Sequence, residues 1–239
     1  MSLKSFKTLS IVVPVYNEEK TIEKLVEKVM AVPLTLEKEI VIVDDCSTDG
    51  TFSILTKLQE GQPAVKVFRN EKNKGKGFSV RRGIQEAAGE IIIIQDADLE
   101  YEPGEYPKLL KPILEDNADV VFGSRFMSSE ARRVLYFWHS VINRILTLCS
   151  NMVTDLNLSD METCYKMFRA DIIKQIRLTE KRFGFDPEVT FKLSRVKGVR
   201  FYEVGISYHG RTYAEGKKIK WKDGIRGEGE SGTSGNFFT

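Results

Sequence analysis

Near the middle of the chain stands Asp96-Ala97-Asp98-Leu99-Glu100, three carboxylates in five positions, one residue beyond four consecutive isoleucines, Ile91 to Ile94. Carboxylates crowded together repel one another unless a cation compensates them. Oxygen donors of this kind suit Mg²⁺ or Mn²⁺, which complete their shells with water and substrate phosphates. An ion held there would bridge a diphosphate and neutralise the charge that builds on it as it leaves. A bare Asp-x-Asp is equally consistent with a solvated acidic loop. What favours the metal reading is its place at the end of an apolar strand, with a second acidic pair ending another.

That pair is Asp44-Asp45, after Val41-Ile42-Val43. A nucleoside needs acceptors for its base imino group or ribose hydroxyls, and strand-end carboxylates supply them. Asp44 and Asp45 also read as a helix N-cap cluster with Ser47 and Asp49, and both roles are compatible. The run Asn73-Lys74-Gly75-Lys76-Gly77 lacks the spacing of a P-loop. Its glycines permit close backbone approach and its lysines suit phosphates, while a plain loop before a helix fits the same residues.

The elements that would position these groups alternate. Leu9 to Val15, Glu39 to Asp44, Val65 to Phe68, Glu90 to Gln95 and Asp119 to Phe122 read as strands. Helical spacing fits Thr21 to Met30, Gly50 to Glu60, the stretch after Gly77 to Ala88, and Pro103 to Glu115, where Pro112 predicts a bend. Continuously apolar strands separated by helices predict an α/β fold, a mostly parallel Rossmann-like sheet with flanking helices. In such sheets ligands bind beyond the carboxyl ends of the strands, where the polar clusters lie. Further on, Arg132 to Val153 reads as one or two amphipathic helices, Ala170 to Ile176 and Pro187 to Arg195 as helices, and Val199 to Val204 as a strand. With no repeat or linker visible, a single domain over 1–226 is expected, and 227–239, rich in Gly, Ser and Glu, reads as a disordered tail.

Composition narrows the field. The 239 residues are 41% hydrophobic and 29% charged, with a net charge of +2, which gives no sign of a nucleic-acid partner. Three cysteines without CxxC spacing argue for a reducing compartment and against structural zinc, and two histidines exclude a His-rich metal site. Neither a signal-peptide-like start nor an apolar run of about 18 residues is present, so a cytoplasmic location is expected, with peripheral membrane contact compatible.

Jointly, Val12-Val13-Pro14-Val15-Tyr16-Asn17-Glu18, Val41 to Gly50, Asn73 to Gly77, Asp96-Ala97-Asp98-Leu99 and Gly123-Ser124-Arg125 resemble the family-2 inverting glycosyltransferases of the GT-A fold. Within that family the chain looks most like the dolichol-phosphate and polyprenyl-phosphate mannosyltransferase branch. The resemblance implies that Pro14, Tyr16, Glu18, Val43 and Asp45 line a nucleotide pocket, and that Asp96, Asp98 and Glu100 hold the metal and the donor diphosphate, Glu100 standing where the branch often has glutamine. It also implies that Arg125 lies near the transferred sugar, with Asp98 and Arg125 both serving the transfer. Asp160 to Lys166 resembles an acceptor segment and Gly184 to Glu188 an active-site rim. His209 to Tyr213 with Gly216-Lys217-Lys218 resembles a mobile basic loop that puts Arg211 and Lys217, together with Lys76, on donor phosphates. Lys166 as a strand-surface lysine and Lys217-Lys218 as a solvated charge run remain open alternatives.

The expected reaction is direct displacement with inversion, using a GDP- or UDP-linked sugar as donor. A hydroxyl acceptor needs a carboxylate base, for which Asp160, Glu162, Asp186 and Glu188 are candidates. A lipid-phosphate acceptor is already ionised and needs cations, for which Arg125, Arg132, Arg133, Lys166 and Arg169 are candidates. Transfer to polyprenyl phosphate is the leading reading; transfer to a sugar hydroxyl in cell-surface polysaccharide is the alternative. Arg133 to Leu146, with Trp138 and Tyr136 near arginines, fits an interfacial helix as well as a core-packing or homodimer helix.

Overall fold

Consecutive side chains of a strand point to opposite faces, so a strand whose every residue is buried must be covered on both sides. Ile11 to Val13, Ile40 to Val43 and Ile91 to Ile93 have no exposed surface. They belong to β1 (Thr8–Val15), β2 (Glu37–Asp44) and β4 (Ile91–Ile94). The computed structural model describes residues 6–127, 133–134, 136–182 and 184–210. The tail expected from 227, together with Arg132, Arg211 and Lys217, therefore lies outside the described residues.

With β3 (Val65–Arg69), β5 (Val120–Ser124), β6 (Lys166–Arg169) and β7 (Phe201–Gly205), these strands form one seven-stranded sheet of order β3-β2-β1-β4-β6-β5-β7. The pairs β1/β2, β1/β4, β2/β3 and β5/β7 are parallel. β6 is antiparallel to both β4 and β5. The expected α/β sheet with flanking helices is present, and β6 is its addition: four residues, two of them cationic, too short and too charged to announce a strand.

The reversal matters for function. Because β6 runs backwards, its first residue, Lys166, stands beside Phe122 near the end of β5, while its last, Arg169, stands beside Ile91 at the start of β4. Arg169 thus lies at the far edge of the sheet, ion-paired at 3.0 Å with Asp119 and at 2.9 Å with Asp171. It does not belong to the acceptor side expected of it.

The helices are α1 (Ile22–Ala31), α2 (Thr51–Gly61), α3 (Lys76–Glu86), α4 (Tyr106–Leu114), α5 (Phe137–Thr154), α6 (Ala170–Ile173) and α7 (Phe185–Ser194). In α1 the buried Ile22, Leu25, Val26 and Val29 make the stripe that seats it. A 3-10 turn, Pro103–Glu105, leads into α4, which passes Pro112 and stops two residues later. The residue at the N-cap of α2 is Gly50, which has no side chain to offer, and the expected capping falls to Asp49, one residue earlier. Ser47 instead accepts the Asn17 amide at 3.0 Å, while Asp49 accepts the Thr51 amide at 3.0 Å.

Helix α3 lies so close to β1 that a Cβ on Gly83 would stand 2.4 Å from a Val12 methyl. Gly83→Ala is expected to destabilise despite its helix propensity, since overpacking costs about 1–3 kcal/mol. Thermal unfolding should show a lower Tm than wild type, and adding Val12→Ala should recover part of the loss.

Candidate active site

The carboxyl ends of β1, β2 and β4 share one edge, and just past each the backbone takes a left-handed turn without glycine. These are Asn17 (φ 53°), Cys46 (φ 63°) and Leu99 (φ 63°). Side chains avoid this region unless their surroundings enforce it, and such residues gather at functional sites.

Asp96 and Asp98 follow β4. Asp96 is ion-paired with Lys76 Nζ at 2.6 Å, from the first turn of α3. Asp98 Oδ1 accepts the Glu100 amide at 3.1 Å. Glu100 is engaged with the segment after β7: its carboxylate accepts the Tyr208 hydroxyl, and its carbonyl accepts the His209 amide at 2.9 Å. Among the described residues no three His, Cys, Asp or Glu side chains gather as a metal-ligand set. The chemistry still fits a divalent ion bound by two carboxylates with the remaining places left to phosphate and water. A cation already rests on Asp96, which marks the spot as one that favours positive charge.

Next to this motif, Asp45 is buried and does not face open space. It accepts Asn70 Nδ2 at 2.8 Å, the Lys74 amide at 2.9 Å and the Gly75 amide at 2.7 Å. The carboxylate therefore shapes the loop that presents Lys76. Gly75 has φ 91°, and a Cβ there would meet the Lys181 carbonyl at 2.6 Å, so both its conformation and its packing require glycine. Pro14 and Val43 are cross-strand partners between β1 and β2. Tyr16 is exposed just beyond β1, and Glu18 accepts the Thr21 hydroxyl at 2.7 Å.

The other half of the edge holds two cations, Lys166 fully buried and Arg125 half-buried, each gripped by a carboxylate. Arg125, after β5, donates Nε and Nη2 to the two oxygens of Asp160, both at 2.7 Å, and its amide to Asp160 at 3.0 Å. Asn143 of α5 bonds both partners at 3.2 Å, and Arg125 lies 5.3 Å from the centre of the Tyr208 ring. Lys166 donates to Asp186 and to the Thr163 carbonyl. Its side chain has no exposed surface, so it is not the strand-surface lysine that its sequence also allowed. Burial, reinforced by the Asp186 charge and opposed by Lys166 and Arg125, pushes Glu162 up to about 7.

Beneath the acidic motif lies a set of tyrosines that sequence reading missed. Tyr106 and Tyr165 both donate to Gln95 Oε1, at 2.6 and 2.7 Å, and the Tyr101 hydroxyl accepts the Cys164 amide at 3.1 Å. Gln95, a polar residue closing an apolar strand, was the available signal; the tyrosines carry no periodicity of their own.

The glycosyl transferase family 2 profile matches residues 10–177, well over half of the chain. The chain belongs to glycosyl transferase family 2. It is 29% identical over 215 residues to the dolichol-phosphate mannosyltransferase of Pyrococcus furiosus, covering 88% of this chain and 60% of the relative. With the dodecaprenyl-phosphate galacturonate synthase of Rhizobium johnstonii it shares 30% identity, covering 87% of this chain and 61% of that one. The chain thus spans about 60% of the length of these curated relatives. Among solved structures it resembles glucosyl-3-phosphoglycerate synthase of Mycobacterium tuberculosis in complex with Mn²⁺, UDP and phosphoglyceric acid. That match has a TM-score of 0.67 at 17% identity, covering 87% of this chain and 73% of the other. This likeness establishes the GT-A fold.

Within this family-2 chain the structure redirects Glu188. Its carboxylate accepts the Thr179 and Glu180 amides at 2.8 and 2.9 Å and the Lys192 ammonium at 2.6 Å. These bonds outweigh its partial burial and hold it down to about 2. A carboxylate so depressed is a weak base, and its place is to fasten the 179–180 loop to α7. The folded pKa is below the unfolded one, so this stabilisation is present above about 4.5 and is lost as pH falls toward about 2. Glu188→Gln is expected to lower Tm at neutral pH, and the gap to wild type should close across that acid window in a pH series of melts.

Proposed function

We propose that this enzyme moves a sugar from a nucleotide-diphospho-sugar to a polyprenyl phosphate, with inversion. What carries the reading is the state of the acceptor-side carboxylates. A hydroxyl acceptor needs a base free to take a proton near the working pH. Asp160, Asp186 and Glu188 are instead engaged with Arg125, Lys166 and Lys192. Cations steered by buried carboxylates suit an acceptor already ionised, which must be positioned and not deprotonated. The names of the relatives at 28–30% identity, dolichol-, dodecaprenyl- and undecaprenyl-phosphate enzymes, point the same way.

In the displacement, an acceptor phosphate oxygen attacks the anomeric carbon while the bond from that carbon to the donor diphosphate breaks, its electron pair leaving with the diphosphate. No covalent enzyme intermediate forms and no proton is moved. Asp96 and Asp98 would hold Mg²⁺ or Mn²⁺, which when bound neutralises charge on the departing diphosphate. Lys76, set by the Asp45 loop, brings a second positive charge to the same place. Pro14, Tyr16, Glu18 and Val43 border the nucleotide, and Asp45 acts on it through its loop. Arg125 orients the acceptor phosphate, and Lys166 holds Asp186 at the rim.

One observation favours the second reading, transfer to a sugar hydroxyl. Glu162, with its pKa near 7, matches what a general base requires. Sugar transfer should be measured from GDP- and UDP-sugars with Mg²⁺ or Mn²⁺, to polyprenyl phosphate and to hydroxyl acceptors. Product on the lipid phosphate with inverted anomeric configuration is expected. Asp98→Asn should cost about 10²–10³ in kcat. Arg125→Lys should raise KM for the lipid phosphate, because an ammonium cannot replace a bidentate guanidinium. Glu162→Gln should leave turnover near wild type; a loss of about 10²–10⁴ there would establish the hydroxyl acceptor.

A further inference from the structure

Helices of a folded domain turn their apolar stripe inward; α5 does the reverse. Its buried positions are Asn143, Thr147 and Thr154. Its outward positions are Phe137, Trp138, Ile145, Leu148, Met152 and Val153, between 55% and 78% exposed. At 3.6 residues per turn these six span about 160° of the circumference. The only Asp, Glu, Lys or Arg from Phe137 to Thr154 is Arg144. No described helix is long and apolar enough to cross a membrane.

The polar side of α5 is bonded to the acceptor half of the site. Asn143 contacts Arg125 and Asp160, Thr147 Oγ1 accepts the Met161 amide at 3.1 Å, and Asn151 Nδ2 donates to the Leu158 carbonyl at 2.8 Å. The helix is therefore fixed in its orientation, and its apolar face is not a surface that could rotate inward. Uncovered apolar area of this extent marks a contact surface.

The charges around it select the partner. Arg133 precedes the helix, Arg144 flanks the stripe with its guanidinium 5.9 Å from the Phe126 ring, and Arg195 donates to the Val153 carbonyl at 3.2 Å. Asp155, just past the helix end, is the nearest acid in sequence. Two copies packed through this face about a two-fold axis would bring their arginine rims together, at an electrostatic cost. An anionic lipid surface meets both features, since acyl chains cover the apolar stripe and headgroups meet the arginines.

We propose that α5 lies in the headgroup–acyl boundary of an anionic bilayer, apolar face down, and so sets Arg125 and Asp160 at the level of lipid phosphates. The last clause rests on the polyprenyl-phosphate reading; the surface contact does not. A lipid phosphate held at Arg125 would then have its hydrocarbon chain beside the same helix.

The full chain should be floated with vesicles of phosphatidylcholine alone and with about one-third phosphatidylglycerol added. Wild type is expected to float with the anionic vesicles, less with the neutral ones, and less again as salt rises. Leu148→Glu/Met152→Glu, at exposed sites, should lower partitioning by about tenfold or more. Its thermal shift with nucleotide-sugars should match that of wild type, which shows an intact donor site. Absence of wild-type flotation, or unchanged flotation of the double variant, overturns the proposal. A solution dimer that ignores vesicles and that the double variant converts to monomer also overturns it and assigns the face to a second copy. Transfer to a water-soluble short-chain polyprenyl phosphate separates the two ideas. If that transfer is absent while wild type still floats, only the acceptor reading fails; if it is present without flotation, only the membrane proposal fails.

Discussion

The covered middle of the sheet pushes most of its charged residues to the ends of the strands. The central residues of β1, β2 and β4 are mostly apolar because neighbouring layers cover both faces, and a charged side chain there needs partners to replace its water, as Glu39 of β2 has in the Ser10 hydroxyl, the Lys66 ammonium and the Ala88 amide. The carboxylates and cations collect where the strands stop. There the backbone itself is constrained, with Asn17, Cys46 and Leu99 all at positive φ.

Charge at that edge is matched locally. Asp96 rests against Lys76, Arg125 against Asp160 and Lys166 against Asp186. In the Arg125–Asp160 and Lys166–Asp186 pairs one member has no exposed side chain, and removing its partner costs far more than the pair contributes, because the survivor stays buried and unmatched. The arrangement fixes where each charge points without leaving any of them bare. The Lys76 pair and the Arg125 and Lys166 pairs are distinct, and β6, entering between β4 and β5, brings Lys166 to the same edge of the sheet.

Much of this was legible in the residues. The strands with continuous apolar runs, the edge at which ligands would gather, and the Asp96–Asp98 and Arg125 motifs all follow from periodicity and resemblance. The less legible parts depend on side chains meeting across long sequence distances. Asp45 reads as a ligand-facing acid, yet its neighbours are two amides nearly thirty residues on. Glu188 reads as a base until the Thr179 loop and Lys192 are seen to claim it. Lys166 and Arg169, three residues apart, look equivalent as letters; only the antiparallel course of β6 sends one to the site and the other to the opposite edge.

The amide of Gln95 joins elements that come from far apart in the chain. One carbonyl oxygen takes hydroxyls from Tyr106 of α4 and Tyr165 at the start of β6, and the nitrogen donates to the Asp96 carbonyl at 2.9 Å. A rigid-body hinge that parted α4 or the residue before β6 from the end of β4 would have to break the tyrosine bonds in a dry interior. The two tyrosine bonds thereby lock α4, the end of β4 and the residue before β6 into one rigid block beneath the acidic motif, whose relative placement is set at folding.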